Sequence, residues 1–356
     1  MASIDSYETK SGKRWMVQYR TPDRRLTKKR GFKTKRDANE WLQGNEVAMR
    51  QGGWQPESAG RMTVSELAAE HLRAKAINLA PKTAFAYKGY LKHYEKYGNL
   101  GNQYVKDVTI VGIEKFVLEM SKELAPKSVR NSFQFLYSVF QRGIRDQRIL
   151  KNPCVGVELP ALTESEPRFL TVEQVAAFVA AAGENEPIAH VLVKTGMRWG
   201  EMAGLLVKDV DFCSGVIHVR RQKTELNGKL FDSAPKHGKV RKIPIIPSLR
   251  PVLEKSVSGK EQDELVLTTR RGAVLRSGNE RRGWFDNAAK EAGAPGLTPH
   301  DLRHTFASLA IKSGANPKAL QAMMGHTSIK ITMDRYSHLY PEDYSSFTTG
   351  FDALFS

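Results

Sequence analysis

The chain is 356 residues long, and its 55 Lys and Arg against 38 Asp and Glu leave a formal charge of +17 at pH 7. A charge of that size favours polyanionic partners, nucleic acid or an acidic membrane surface, and argues against an enzyme of small neutral metabolites. A hydrophobic content of 40% is enough for real cores, which excludes a basic disordered tail, and the length allows two or three domains. The two cysteines, Cys154 and Cys213, stand far apart without Cys or His partners at zinc-finger spacing, so neither a disulfide scaffold nor structural zinc is expected. No apolar h-region opens the chain and no long uncharged apolar run follows, so a soluble protein without a membrane partner is expected.

Residues 1–52 hold 13 Lys and Arg against 6 Asp and Glu. The pattern predicts a strand over 4–9, a Ser11-Gly12 turn, a strand over 15–20, a Pro22-Asp23 turn, a strand over 26–32 and a helix from about Lys35. Trp15, Val17 and Tyr19 alternate with Met16, Gln18 and Arg20, and Ala38, Trp41, Leu42 and Met49 recur at the spacing that lets a helix cover the apolar face. The other face then stays open, and a basic three-stranded sheet can enter a major groove. Arg20, Arg24, Arg25, Lys28, Lys29 and Arg30 are the expected DNA contacts; a solvated sheet whose charges only confer solubility is the competing reading.

Gly52-Gly53 to Gly60 reads as a linker. Thr63 and Glu66 form a capping box ahead of Val64, Leu67, Ala68 and Leu72, and the chain reads as helical from there to about residue 150, a small all-α domain. Two similar pentads inside it, Leu79 to Thr83 and Leu124 to Ser128, each put Pro at a helix start and a lysine, Lys82 or Lys127, in the first turn. A cation there is unfavourable unless an anion offsets the helix dipole; a DNA phosphate is one answer and plain solvent exposure the other.

Asn152-Pro153 and the stretch 160–167 form a second linker. Thr171 and Gln174 make another capping box, and the remainder mixes helices with strands expected at 216–220, 242–246 and 265–268, a mixed α+β domain. The expected divisions are 1–55, 63–155 and 168–356.

Three clusters in the last region carry chemistry. In Lys194-Thr195-Gly196-Met197-Arg198-Trp199-Gly200-Glu201 a helix ends at a glycine and an arginine stands before the next helix, with Glu201 three residues on. Thr298-Pro299-His300-Asp301-Leu302-Arg303-His304 is a Thr-capped, Pro-started helix turn with His300 and Arg303 on one face. Gly325-His326-Thr327-Ser328-Ile329 is followed, ten residues after the histidine, by Tyr336-Ser337-His338. His300 and His304 have the spacing of helical zinc ligands, but Asp301 stands where the zincin motif has Glu and Arg303 would repel a cation, so no metal site is expected.

These clusters resemble the signatures of the tyrosine recombinases, the phage-integrase family of site-specific DNA recombinases. The family's arginine box matches Thr195 to Glu201, its His-x-x-Arg matches His300 to Arg303, and its Gly-His box and nucleophile match Gly325 to His338. The family's hairpin lysine corresponds to Lys236 in Pro235-Lys236-His237-Gly238. The resemblance implies a multidomain fold: an arm-binding sheet plus helix, an all-α core-binding (SAM-like) domain, and a mixed α+β catalytic domain of the tyrosine-recombinase type.

It also implies roles. Arg198 and Arg303 would clamp the non-bridging oxygens of a phosphodiester, His300 and His326 would add hydrogen bonds or accept a proton, and Tyr336 would form a 3′-phosphotyrosyl link. Lys236 would protonate the departing 5′-oxygen, with Lys223 and Lys239 as competitors, as Tyr340 and Tyr344 compete with Tyr336. Glu201 and His304 would be supports that orient the arginine and histidine. No cofactor is implied, and no phosphate-binding G-x-x-x-x-G-K-[ST] loop occurs.

The implied partners are double-stranded DNA at arm-type and core-type attachment sites, a homo-tetramer on that DNA, an accessory DNA-bending protein and a directionality factor, in the cytoplasm of a bacterial host at the nucleoid. The apolar residues after Tyr336, from Leu339 and Tyr340 to Phe355, would dock on a neighbouring protomer or on their own domain. Two other functions use parts of the same pattern: a type IB topoisomerase-like nicking and closing enzyme, which needs no arm domain, and a non-catalytic DNA-binding regulator, which needs no active site.

Overall fold

The structure, a computed structural model, describes residues 2–22, 24–50, 60–162, 168–235, 238 and 240–339. The chain divides into two compact units, Met1–Glu164 and Ser165–Ser356.

The first unit opens with an antiparallel meander of β1 (Ser3–Thr9), β2 (Gly12–Arg20) and β3 (Leu26–Phe32), one face of which is covered by α1 (Lys35–Arg50). Val17, Tyr19 and Ala38 are buried there, with Trp15, Phe32, Trp41, Leu42 and Met49 packed around them, and Tyr19 meets Trp41 edge-on at 5.2 Å. This is the face that the alternation of β2 predicts. Register then sorts the basic residues: Lys28 pairs with Gln18 and Arg30 with Met16, so these two and Arg20 stand on the open face, whereas Lys29 pairs with Val17 and belongs to the helix side. The ladder slips between Trp15 and Met16, with Gly31 as the extra residue at φ 100°, a backbone conformation open to glycine. Arg24 turns the chain between β2 and β3 at φ 64°, and its carbonyl accepts from Arg20 Nη1 at 3.0 Å.

A helical bundle follows: α2 (Val64–Lys75), α3 (Pro81–Lys96), α4 (Ile110–Glu123) and α5 (Pro126–Arg145). Thr63 and Glu66 close the expected capping box on α2, and Thr109 caps α4. The core is apolar and aromatic, built on Leu67, Tyr94, Ile113, Phe116, Met120, Leu136 and Phe140, with Tyr87 stacked on Phe135 at 4.2 Å. Helices α3 and α5 start alike, an alanine at the N-cap with no side-chain cap and proline in the first turn, and both Lys82 and Lys127 are exposed.

The second unit contains α6 (Val172–Ala181), α7 (Glu186–Thr195), α8 (Trp199–Ala203), β4 (Val210–Asp211), β5 (Val216–Val219), β6 (Gln222–Leu226), β7 (Lys229–Ser233) and β8 (Arg241–Pro244). Then come α9 (Arg250–Val257), α10 (Ser277–Glu280), a π turn at Arg281–Phe285, α11 (Asp286–Glu291), α12 (Pro299–Lys312), α13 (Pro317–Met324) and α14 (Ile329–Tyr336). Strands β4, β5 and β8 form one antiparallel sheet and β6 and β7 a separate hairpin. The core is centred on Phe178, Val191, Leu192, Ile217, Ile243, Phe285 and Leu302.

One expectation needs correction, and one element is not anticipated at all. No strand runs through Leu265–Thr268: Leu265 makes one bridge, to Leu206, and Val266 and Leu267 are buried as a loop on the core. Conversely, the polar β6–β7 hairpin lacks apolar alternation and is set by its turn, in which Asn227 and Gly228 both have positive φ (49° and 71°), the geometry of a two-residue hairpin loop. Among the described residues no helix is long and apolar enough to cross a membrane.

Candidate active site

Two helix ends and one buried arginine organise the site. Helix α7 stops at Gly196 in the left-handed region (φ 61°), where a Cβ would overlap the Phe306 ring, and α13 stops at Gly325 in the same conformation (φ 63°). Both ends leave carbonyls without helical partners, at the negative end of the helix dipole. Arg303, one turn into α12 and only 2% exposed, donates from Nη1 to the Gly196 carbonyl at 2.7 Å and from Nη2 to that of Met324. The guanidinium is thus solvated by backbone oxygens. Burial first, then the nearby Arg198 charge, still push its pKa down to about 9.

Arg198 is the N-cap residue of α8 and remains partly exposed, its side chain at 23%. Its backbone N–H and its Nη1 both donate to the buried Glu201 carboxylate, each at 2.9 Å. The same carboxylate receives a two-pronged bond from Arg241 on β8, at 2.9 Å from Nη1 and 2.6 Å from Nη2, while Arg241 Nε donates to the Met323 carbonyl at 2.7 Å. Burial raises the Glu201 pKa, but hydrogen bonds and charge from Arg241, then from Arg198, prevail and hold it down to about 2.

Helix α14 brings the phenol. Thr332 and Tyr336, one turn apart, both point inward and are fully buried. Tyr336 OH lies 2.6 Å from His304 Nδ1, and His326 Nδ1 lies 2.8 Å from Thr332 Oγ1, so two histidines hold two successive turns of the helix. His300, at the exposed start of α12, sets its ring edge-on to His304 at 4.7 Å. Burial pushes the Tyr336 phenol up to about 12, against the lowering effect of Arg303 and Arg335. Burial, then neighbouring positive groups, push His304 and His326 down to about 4 and hold His300 below the usual imidazole value. At neutral pH these are neutral rings beside a protonated phenol.

The structure therefore brings together Arg198, Glu201, His300, Arg303, His304 and Tyr336 from α8, α12 and α14, and His326 from the turn between α13 and α14. His304 touches the phenol directly and also stands edge-on to His300. Lys236 and its competitor Lys239, as well as Tyr340, Tyr344 and the rest of 340–356, lie outside the described residues. Lys223 on β6 is engaged by Asp232 at 2.8 Å. Its strand is seated on α8: a Cβ on Gly200 would stand 2.5 Å from the Lys223 carbonyl oxygen, and one on Gly204 3.1 Å from the Lys223 nitrogen. Among the described residues no group of three His, Cys, Asp or Glu could hold a metal ion. Sequence reasoning missed Arg241, whose only local signal is its place in a basic run, and Thr332, one turn before the tyrosine.

A phenol within hydrogen-bond reach of an imidazole, beside guanidiniums that outnumber their carboxylate, is equipped to bind a phosphodiester and attack it. Residues 168–343 match the model of the phage integrase family and residues 6–45 that of an arm DNA-binding domain. The ICEBs1 integrase of Bacillus subtilis (strain 168) is 28% identical over 249 residues, 66% of this chain and 68% of the relative. The integrase of Mycobacterium phage L5 is 27% identical over 318 residues, 85% of this chain and 84% of the relative. A structure of the Tn1549 transposon integrase in complex with a circular intermediate DNA superposes with a TM-score of 0.70 at 25% identity, covering 82% of this chain and 99% of that one. A lambda integrase tetramer bound to a Holliday junction shares the fold, with a TM-score of 0.61 at 19% identity, covering 91% of this chain and 95% of that one. The chain belongs to the phage integrase family, the tyrosine recombinases. It is a DNA strand-transfer enzyme acting in site-specific recombination.

Proposed function

We propose that this chain integrates and excises a phage or other mobile-element genome by cutting double-stranded DNA with Tyr336 of its own active site. The observation that carries the reading is the Tyr336 hydroxyl at 2.6 Å from His304, in the same chain and pocket as Arg303 and Arg198. The nucleophile, its neutral proton acceptor and the cations need no second subunit to meet, which favours cleavage in cis.

In the forward step the Tyr336 oxygen bonds to phosphorus and the P–O5′ bond breaks, leaving a 3′-phosphotyrosyl link. The phenolic proton passes to His304 or, once DNA is bound, His300, and the departing O5′ takes a proton from Lys236. Arg198, with N–H groups beyond the one on Glu201, and Arg303, through donors beyond those on Gly196 and Met324, stabilise the charge that grows on the non-bridging oxygens. With Thr332 donating to its Nδ1, His326 presents Nε2–H to the same oxygens. Religation reverses each transfer, so the bond energy is retained and no cofactor enters.

Exchange between two duplexes cuts four strands, one tyrosine each, which calls for a homo-tetramer, with residues beyond Leu339 docking on a neighbour. The division into an arm-type domain (1–55), a core-binding domain (63–155) and a catalytic domain (168–356) belongs to this reading. Arg20, Lys28 and Arg30 on the open face, Arg24 and Arg25 at the turn beside it, Lys29 on the helix side, and Lys82 and Lys127 at the two matching helix starts are the proposed DNA contacts. An accessory DNA-bending protein, a directionality factor and a place at the bacterial nucleoid complete it.

The test uses a short nicked duplex selected by the protein from a random-sequence pool, the nick trapping the cleaved state. Wild-type protein is expected to become covalently attached through Tyr336, and Tyr336→Phe to bind the duplex with unchanged affinity but form no adduct. Normal cleavage by the phenylalanine variant would refute the nucleophile.

A further inference from the structure

The buried cation that the proposed chemistry does not use is Arg241. Its side chain is 7% exposed and its donors are engaged inside the protein, two on Glu201 and Nε on the Met323 carbonyl. It is placed to act through its neighbours and not on DNA. Glu201, whose side chain is fully buried, accepts four N–H groups, two from Arg241 and two from Arg198. The division is unequal: Arg241 takes the two-pronged approach and Arg198 spends one side-chain nitrogen.

A second observation comes from the glycine of the Gly-His pair. A Cβ on Gly325 would stand 3.0 Å from Arg241 Cδ and 3.2 Å from both Nε and Nη1, so the arginine stem runs directly beneath the turn that presents His326. Glycine is needed there for space as well as for its φ of 63°. Arg241 also opens β8, the strand that follows the segment containing Lys236.

We propose that Arg241 is a positioning residue for recombination: by satisfying Glu201 it keeps the outward N–H groups of Arg198 for the DNA phosphate, and through Met323 it fixes the His326 turn against the arginine-box helix. The role rests on the reading of Arg198 as a phosphate ligand. Without Arg241, a fully buried carboxylate retains one cationic partner, and Arg198 swings inward to engage both of its oxygens. Lysine cannot substitute, because a single ammonium cannot span both carboxylate oxygens and the Met323 carbonyl as a planar fork does.

The experiment measures single-turnover cleavage of the selected nicked duplex at saturating DNA, with affinity and thermal melting recorded in parallel. Arg241→Met and Arg241→Lys are expected to lower the cleavage rate by about 100-fold with DNA affinity little changed. In an Arg198→Ala background the further loss from Arg241→Met should shrink to the part carried through Met323 and the His326 turn, well short of its full size, because the larger share acts through Arg198. Glu201→Gln combined with Arg241→Met should recover about tenfold over Arg241→Met alone, since the inward pull on Arg198 is gone. Wild-type cleavage by Arg241→Met, or a loss that multiplies in full with that of Arg198→Ala, would overturn the role. If Arg241→Met fails to fold, Arg241→Lys keeps the stem and a positive charge, and its loss should likewise shrink in the Arg198→Ala background; full multiplication there would count against the role. Absence of any adduct with wild-type protein would overturn the underlying reading, and this role with it, whereas wild-type adduct with an unaffected Arg241→Met removes the role alone.

Discussion

The helical bundle and the catalytic pocket bury their polar groups in opposite ways. In the bundle the buried polar side chains among the described residues are neutral, His71, Ser132 and Asn152, and burial pushes His71 down to about 4. In the second unit they include Glu201, Asp209, Arg241 and Arg303. The bundle draws its stability from Phe116, Met120, Leu136 and their neighbours. The pocket keeps cations out of water, held in fixed orientation by helix-end carbonyls and one carboxylate, as the proposed phosphate-binding role requires. The contrast separates residues that hold the fold from residues that hold a charge.

The largest effect should come from the bundle. Phe116→Ala removes a fully buried ring and is expected to cost about 3–5 kcal/mol in chemical denaturation. A loss under about 1 kcal/mol would show that the bundle core is loosely packed and would blunt the contrast.

Arg303→Met should do the reverse. Cleavage of the nicked duplex is expected to fall by about 10²–10³-fold while the melting temperature changes little, because relief of an unfavourably buried cation is offset by leaving the Gly196 and Met324 carbonyls without a donor. A melting temperature that collapses along with the activity would make Arg303 a structural residue first.

Acid gives the smallest and broadest effect. His304 and His326 take up protons near pH 4 in the folded chain but near 6.5 when unfolded. Between those values the unfolded chain binds more protons, so stability declines as pH falls through that window and is fully present above it. In the bundle His71 contributes in the same direction. The rings should show no titration by NMR until the pH approaches 4; a midpoint near 6.5 for His304 would mean that its ring is not held as described.

Much of this architecture is legible in the sequence where the governing contacts are local. Alternation through Trp15, Val17 and Tyr19 marks the covered sheet face, and the capping boxes at Thr63 and Thr171 mark helix starts. The motif residues Arg198, His300, Arg303, His326 and Tyr336 stand out because each sits at a helix boundary or within a turn or two of one, where spacing is constrained. Arg241 does not, since its partners Glu201 and Met323 are 40 and 82 residues away and nothing near it in sequence distinguishes it from other arginines. The run at Leu265–Thr268 misleads for a related reason: an apolar segment is buried equally well by a strand or by a loop laid on the core, and only the position of Leu206 decides.

The seat that Gly200 and Gly204 give to β6 ties these arguments to mechanics. Side chains absorb small displacements by changing rotamer, but main chain resting on main chain has no such slack, and here a strand lies directly on the short helix whose cap is Arg198. On the proposed reading of Arg198 as a phosphate ligand, a displacement of the hairpin would therefore also lever the guanidinium, and a duplex pressing there would be felt at the phosphate as a change in grip.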